Sequence, residues 1–259
     1  MEKLKINYHL TEACNFHCKF CFAKYDKEFI DFTHQKKVIK NIADSGLFDS
    51  INFAGGEPLL DKNLPALIAY SYSLGLKVSI ITNGSLLTDE FLDSCVPYLE
   101  MLGISCHSFN EETKIEIGAC TRNNKTLSNE RLIAICERIE KMNQSGMANC
   151  KIKVNTVICA PNANENLLSG IESLKYVQRW KCLRCQEFGT NQKMLISKKQ
   201  YLQFIKTNKK KGINQVFEND MKDTYIMINP AGYLICENQD GISYKKIGSA
   251  VDTPMEELM

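Results

Sequence analysis

The segment Cys14-Asn15-Phe16-His17-Cys18-Lys19-Phe20-Cys21 has three cysteines at CxxxCxxC spacing, directly after a strand-like stretch at residues 5–10. Three thiolates this close along the chain can converge on one soft metal centre. An iron–sulfur cluster is one such centre, and three cysteines on a four-iron cluster leave one iron open to another ligand. A tetrahedral zinc ion is the alternative, with His17 or His34 as its fourth ligand. The spacing favours the iron–sulfur cluster.

The composition is that of an ordinary soluble globular chain. It has 259 residues, of which 44% are hydrophobic and 24% charged, and a formal net charge of +2. So small a net charge gives no reason to expect nucleic acid or a membrane surface as a partner. No apolar run reaches the ~20 residues that span a bilayer, and the N-terminus lacks a signal-peptide core. We therefore expect a cytoplasmic monomer that binds neither nucleic acid nor membranes.

Cysteine is unusually frequent, with twelve in the chain. Without an export signal, such a count indicates metal ligation, catalysis or small buried side chains before disulfides. Cys182 and Cys185 form a second CxxC, but positions three apart on a strand point to opposite faces. We interpret these two as packed thiols rather than ligands.

Strand-like and helix-like stretches alternate along nearly the whole sequence, which predicts a parallel sheet with helices outside it. The strand-like stretches are residues 5–10, 50–54, 77–82, 101–105, 151–159 and 180–185. The helix-like stretches are residues 33–43, 64–74, 89–98, 129–142, 167–177 and 198–207. Six such units are too few for a closed eight-stranded barrel. The fold class expected is therefore α/β, a partial, open (β/α)6 TIM-like barrel.

Two further features complete the predicted organisation. Residues 225–236 contain the turn Asn229-Pro230-Ala231-Gly232 between two apolar stretches, which predicts a β-hairpin. Thr33 is the expected N-cap of the first helix. We expect a barrel domain over residues 1–212 and a C-terminal hairpin extension over residues 213–259 that packs on it.

In such folds the chemistry lies at the C-terminal ends of the strands. Ala54-Gly55-Gly56-Glu57-Pro58 ends the second strand. Paired glycines allow a ligand to approach the backbone, and Glu57 supplies an acceptor for an ammonium group. Asn83 and Ser105 place short polar groups at the ends of the third and fourth strands.

The CxxxCx-aromatic-C loop followed by GGEP resembles the signature of the radical SAM superfamily. The resemblance implies a [4Fe–4S] cluster and S-adenosylmethionine as cofactors. It assigns the cluster to Cys14, Cys18 and Cys21, and S-adenosylmethionine to Phe20, Gly55, Gly56, Glu57, Asn83 and Ser105.

Later blocks, such as residues 153–158, 179–181 and 221–225, resemble the viperins within that superfamily, and the likeness runs from about residue 6 to residue 250. It implies an enzyme that converts a ribonucleoside triphosphate to its 3′-deoxy-3′,4′-didehydro analogue, a lyase-type dehydration. A 5′-deoxyadenosyl radical would take the ribose C4′ hydrogen, and a flavodoxin- or ferredoxin-type protein would supply electrons. The product, lacking a 3′-hydroxyl, would terminate RNA chains, which implies an antiviral or anti-phage role.

The same resemblance assigns the nucleotide to Lys24, Lys153, Asn155, Arg179 and Lys181. Lys153 and Asn155 lie two residues apart and share a strand face, as do Arg179 and Lys181. Lysines that face into a barrel are costly unless they meet anions, so a triphosphate suits them.

Tyr225 matches a viperin tyrosine suspected of radical or proton transfer, although a packed core tyrosine is the alternative. The stretch Ile117-Gly118-Ala119-Cys120 lacks the arginine that viperins often carry there, and Arg122 is expected to replace it. His107 stands where animal viperins have aspartate.

Two other functions stay open at this stage. One is a radical SAM enzyme that modifies a peptide; such maturases carry a cysteine-rich C-terminal extension, whereas after Cys185 only Cys236 remains. The other is a non-catalytic iron–sulfur or zinc protein, which has no reason to combine GGEP with lysines at three strand ends.

Overall fold

A single ten-stranded sheet runs through the chain, in the order β10-β9-β8-β1-β2-β3-β4-β5-β6-β7. The computed structural model describes residues 4–23, 28–187, 191–218, 225–237 and 244–259. The strands are β1 Leu4–His9, β2 Phe48–Ala54, β3 Lys77–Thr82, β4 Leu99–Ser105, β5 Lys151–Ile158, β6 Val177–Arg184, β7 Asn214–Glu218, β8 Ile226–Ile228, β9 Tyr233–Glu237 and β10 Tyr244–Ser249.

Helices connect the parallel strands, as the alternating sequence pattern predicts. They are α1 Phe32–Asp44, α2 Leu64–Ser73, α3 Asp89–Cys95, α4 Glu111–Ile117, α5 Asn129–Gln144, α6 Leu168–Ser173, α7 Lys198–Thr207 and α8 Met255–Leu258. No helix in the described ranges is both long and apolar enough to cross a membrane.

The open, partial barrel is confirmed, with additions at both edges of the sheet. Strands β1 to β7 pair in parallel, and β8 pairs in parallel with β1. The expected hairpin is β8 with β9, and β10 extends it antiparallel. Strands β7 and β10 were not predicted. The residues after 213 add strands to the same sheet as the barrel strands. The expected boundary at residue 212 between a barrel domain and a C-terminal extension stays a prediction.

The two faces of the sheet differ in character. On the convex face, side chains such as Ile6, Phe53, Leu102 and Trp180 pack with the helices in one large hydrophobic core. The opposite face, here called the concave face, carries the alternate residues of each strand, because successive side chains point to opposite sides. Polar groups line it, beginning with a hydrogen-bonded ladder in which the Ser79 hydroxyl donates to Asn52 and the Asn52 amide donates to Asn7, each at 2.9 Å.

Several helix boundaries differ from the sequence-based expectation, and two of them have a clear physical reason. Helix α1 is capped by Asp31 rather than Thr33, because the Asp31 carboxylate accepts a 2.9 Å hydrogen bond from the His34 backbone N–H. Helix α6 ends at Ser173, well before the expected residue 177, because Val177 begins β6.

Candidate active site

The CxxxCxxC segment, residues 14–21, forms the loop after β1 and is called the cluster loop. Cys14 is exposed, whereas Cys18 and Cys21 are partly buried, and none of the three is in a disulfide. Burial raises the pKa of Cys18, and negative charge on Cys21 and Cys14 would raise it further. The three cysteines are therefore neighbours in the loop, but their side chains are not arranged here around a single metal ion.

The two glycines after β2 bring the chain against the segment that leads into Cys14. The Gly56 N–H donates to the Thr11 carbonyl at 2.6 Å, and the Glu57 N–H donates to the Ala13 carbonyl at 2.8 Å. Gly55 has φ +136°, and a Cβ on Gly56 would lie 2.2 Å from the Ala13 carbonyl oxygen. Glycine is thus required for contact between two backbone segments, which the sequence analysis did not foresee.

Glu57 is fully buried and joins the ends of β2 and β3. Its carboxylate accepts hydrogen bonds from the Thr82 hydroxyl at 2.7 Å and the Asn83 N–H at 2.8 Å, and also from Leu59 N–H at 3.1 Å. Burial raises the pKa of Glu57, while these three donors oppose that shift. The structure assigns Glu57 a positioning role; a direct contact with S-adenosylmethionine stays a prediction.

Asn83 extends this network to the cluster loop. Its amide nitrogen donates to the Asn15 side chain at 2.8 Å and lies 3.8 Å from the Cys14 sulfur. The Asn15 amide in turn donates to the Ser85 hydroxyl at 2.8 Å. The chain Glu57–Asn83–Asn15 therefore fixes the first cluster cysteine relative to the ends of β2 and β3.

Phe20 contacts His107, which follows β4. Their rings meet edge to face with centroids 4.9 Å apart. The Val157 N–H donates to Nδ1 of His107 at 3.1 Å, which fixes the tautomer with the proton on Nε2. Burial lowers the pKa of His107 to about 4, so the ring is neutral at physiological pH. A neutral, oriented donor thus stands beside the aromatic residue of the cluster loop.

The polar residues expected on β4, β5 and β6 lie side by side on the concave face. Ser105 pairs with Asn155 between β4 and β5, Asn155 pairs with Lys181 between β5 and β6, and Lys153 pairs with Arg179 one repeat below. The predicted sharing of faces is confirmed. We call Lys153, Arg179 and Lys181 the concave-face cations.

Two buried polar atoms of this group fit an absent anionic or hydrogen-bonding ligand. Nε of Arg179 and Oδ1 of Asn155 are buried and have no hydrogen-bond partner in the part of the chain that the structure describes. Buried polar atoms are nearly always paired in native proteins, by protein, water or ligand. The donor set of three cations and an amide is the chemistry that binds phosphate oxygens.

The remaining predicted site residues are Tyr225, Arg122 and Lys24. Tyr225 is adjacent to this group, since its hydroxyl contacts Nζ of Lys181 and its ring centre lies 4.8 Å from that nitrogen. Arg122 is exposed, in a turn closed by a 2.9 Å hydrogen bond from Thr121 N–H to the Lys125 carbonyl. Its predicted phosphate contact stays a prediction. Lys24 lies outside the described residues.

The two histidines expected as alternative zinc ligands are placed differently: His17 lies within the cluster loop, with its Nε2 3.9 Å from the Cys120 sulfur. His34 lies on α1 with its Nδ1 2.8 Å from the Asp31 carboxylate. In the described ranges, no group of three or more His, Cys, Asp or Glu side chains is arranged for a single metal ion. Cys182 and Cys185 are buried in two separate hydrophobic clusters, which confirms their interpretation as packed thiols.

Sequence reasoning missed several residues of the site. Asn15 belongs to the CxxxCxxC segment but was given no role. Its position next to Cys14 in the sequence could have identified it as a site residue. Lys5 also lies on the concave face, as the alternation of Lys5, Asn7 and His9 along β1 could have indicated.

The residues gathered here, a three-cysteine loop after β1 braced by a GGE segment after β2, define a class of enzyme. The family description of the radical SAM superfamily matches residues 8–164. The structure of Streptococcus suis SuiB bound to S-adenosylmethionine has the same fold, with a TM-score of 0.75 at 15% identity over 99% of this chain and 65% of that one. The chain belongs to the radical SAM superfamily, and its cofactors are accordingly a [4Fe–4S] cluster and S-adenosylmethionine.

Within that superfamily, sequence identity places the chain in a narrower family. A protein of Selenomonas ruminantium named S-adenosylmethionine-dependent nucleotide dehydratase is 36% identical, over 95% of this chain and 89% of its own length. A protein of the same name from Lacinutrix mariniflava is also 36% identical over 88% of this chain, which spans only 49% of that relative. The chain is a member of this nucleotide dehydratase family, the viperin-like branch that its sequence blocks resemble.

Proposed function

We propose that the protein is a viperin-like nucleotide dehydratase, which converts a ribonucleoside triphosphate to its 3′-deoxy-3′,4′-didehydro analogue. The observation that carries the proposal is the row of concave-face cations, next to Asn155, whose buried Oδ1 has no hydrogen-bond partner among the described residues. A peptide substrate gives no reason for three cations on two neighbouring buried strands. The family to which the chain belongs points the same way.

The chain's own residues hold and orient the reactants. Cys14, Cys18 and Cys21 would ligate the cluster, and when bound the cluster and S-adenosylmethionine supply one-electron, hydrogen-abstracting chemistry. The Glu57–Asn83–Asn15 network ties the cluster loop to the ends of β2 and β3. Such positioning lowers the entropic cost of bringing the reacting atoms together.

The nucleotide would bind with its ribose near the cluster loop and its phosphates along the concave face. Lys153, Arg179 and Lys181 donate charge-assisted hydrogen bonds to the phosphates. Asn155 and Ser105 are level with Lys181 and lie one strand repeat closer to the C-terminal ends than Lys153 and Arg179, at the height expected for the ribose. The C4′ hydrogen would leave in 5′-deoxyadenosine, and the 3′-hydroxyl would leave as water with one added proton and one further electron from the carrier. The nucleotide would therefore lose the mass of one water. The product cannot be extended at its 3′ position, which suits an antiviral or anti-phage role.

The partners follow from this chemistry. A small flavodoxin- or ferredoxin-type protein supplies the electrons, and Lys19 of the cluster loop is an exposed cation at which an acidic carrier could approach. We further infer that the enzyme acts as a cytoplasmic monomer, since an iron–sulfur centre of this kind needs reducing surroundings.

The test is anaerobic incubation of the reconstituted enzyme with S-adenosylmethionine, a reductant and each of the four ribonucleoside triphosphates in turn. We expect one nucleotide to stimulate 5′-deoxyadenosine formation and to lose the mass of one water. Stimulation by a peptide and by no nucleotide would refute the proposal. The variant with all three cluster-loop cysteines changed to alanine controls for chemistry that does not need the cluster.

A further inference from the structure

We infer that Ile117 and Gly118, at the end of α4, are positioning residues for the iron–sulfur cluster, because they hold the backbone on both sides of Cys18. The inference concerns the loop that carries the cluster and not the nucleotide, so it is independent of the substrate. Neither residue belongs to the cysteine motif or to the GGE segment. In the sequence, their stretch stood out only for the arginine that it lacks.

Two main-chain hydrogen bonds join the end of α4 to the cluster loop, one on each side of Cys18. The His17 N–H donates to the Gly118 carbonyl at 3.2 Å. The Lys19 N–H donates to the Ile117 carbonyl at 2.9 Å. The cysteine between these two donors therefore cannot shift far unless one of the bonds breaks, which would leave a backbone group without its partner.

The left-handed conformation of Gly118 allows this close contact. Gly118 ends α4 with φ +83°, and its own N–H donates to the Ile115 carbonyl at 2.9 Å, as is common where a glycine caps a helix. A Cβ at this position would lie 2.6 Å from the His17 carbonyl oxygen, so something would have to move. Any side chain at position 118 would push the cluster loop away from the helix.

Apolar side chains continue the junction. Ile117 is fully buried and belongs to a small hydrophobic cluster that is separate from the main core. Phe16 is a member of the same cluster, and Cys18 and Phe20 pack against it. Every second residue of this part of the loop thus contacts one apolar support. Movement of the loop away from α4 would return that apolar surface to water, which is unfavourable.

Helix α4 can act as a support because it is itself held on two sides. The buried ammonium of Lys114 donates to the Leu127 carbonyl at 2.9 Å and to the Asn129 side chain at 2.7 Å. The Thr113 hydroxyl donates to the Glu165 carboxylate at 2.6 Å. A buried polar group with several partners has a well-defined geometry, so these bonds fix the helix to the chain around it.

The cluster loop is therefore held at two separate points. The GGE segment holds the chain that leads into Cys14, and α4 holds the chain around Cys18. Cys21 depends on the second point, since its N–H donates to the Cys18 carbonyl at 3.1 Å. Residues that orient metal ligands typically contribute about tenfold to a hundredfold to metal affinity. Loss of the α4 contact should accordingly weaken retention of the cluster.

The experiment compares Gly118→Ala with a matched control, Gly75→Ala. Gly75 follows α2 with φ +82°, and beyond its chain neighbours a Cβ there would meet no atom of the described residues within 4 Å. The control thus introduces the same backbone strain without the contact. Both proteins are reconstituted anaerobically with iron and sulfide, and the rate of iron transfer to a chelator is measured. We expect Gly75→Ala to keep the wild-type rate and Gly118→Ala to release iron about tenfold faster.

The EPR spectrum of the reduced cluster is the second readout. A cluster that has lost a cysteine ligand or moved toward solvent has a changed signal, whereas a loss of stability elsewhere leaves the signal unchanged. We expect a changed spectrum for Gly118→Ala and the wild-type spectrum for Gly75→Ala.

A milder pair of variants decides the question if Gly118→Ala does not fold. Ile117→Val removes one methylene group from the small hydrophobic cluster, and Ile135→Val removes one from the main core; both isoleucines are fully buried. We expect similar losses in the urea midpoints of the two iron-free proteins, since the buried volume removed is the same. Only Ile117→Val should release iron faster than the wild type.

A wild-type rate and spectrum in the deciding variant would overturn the inference. Equally fast release from that variant and its control would also overturn it, because any loss of stability would then free the cluster. Neither result affects the proposed function, which depends on a nucleotide-dependent reaction. If the cluster depends on α4 but no nucleotide reacts, the inference stands and the proposed function fails.

Discussion

Replacing Arg179 with methionine should change stability and nucleotide affinity in opposite directions. Nε of Arg179 is a buried donor without a partner among the described residues. An unpaired buried donor costs about 1–3 kcal/mol, and methionine keeps an apolar stem of similar reach. The free energy of unfolding of the nucleotide-free enzyme should therefore rise by about 1 kcal/mol, or at least not fall.

Nucleotide binding should weaken in the same variant. A charge-assisted hydrogen bond contributes about 1.5–3 kcal/mol, which corresponds to roughly tenfold to hundredfold in dissociation constant. Urea unfolding of the iron-free protein measures the first effect, and anaerobic titration with the nucleotide measures the second. Titration with S-adenosylmethionine is the control and should be unaffected. A variant that unfolds more easily and binds both ligands less well would show that Arg179 holds the fold, and would refute the reasoning.

Three other predictions follow from the site. Alanine at all three cluster-loop cysteines should abolish bound iron and sulfide, whereas Cys182→Ala should leave both unchanged; iron that survives the triple change would refute the ligand assignment. Gly56→Ala should prevent cluster reconstitution, because its Cβ would lie 2.2 Å from a carbonyl oxygen of the segment before Cys14. Gly146→Ala, at an open turn with φ +77°, should cost only about 1 kcal/mol and retain the cluster, so equal behaviour of the two would contradict this account. Since burial lowers the pKa of His107 to about 4, its contribution to stability is complete at neutral pH and should be lost as pH falls from about 6.5 to 4, by up to about 3 kcal/mol. His107→Gln should flatten that part of the pH profile of unfolding, and an unchanged profile would show that the ring is accessible to solvent.

The parts of this molecule that sequence reasoning predicted are those encoded locally. Helix α7 and strand β3 follow their predicted bounds because capping and β-branched residues mark them in the chain itself. The same holds for the cluster loop and the GGE segment, whose residue types and spacing are sufficient signals. The structural role of the GGE segment could not be predicted, because the close approach of Gly56 to Ala13 joins two segments more than 40 residues apart in the sequence.

What could not be predicted depends on pairing between distant strands. Strand β8 lies beside β1, so the chain's last third supplies Tyr225 to a group that includes Lys181. Glu57 was expected to face a ligand, and only the structure places its carboxylate among Thr82, Asn83 and Leu59.

The hydrogen bonds from Gly56 to Thr11 and from Glu57 to Ala13 use only main-chain atoms. Together with the Asn83–Asn15 bond, they tie the cysteine loop to the ends of β2 and β3. Because no side chain takes part in the two main-chain bonds, this junction depends on backbone shape at the paired glycines. Most side chains of residues 11–13 can therefore vary without loss of the junction.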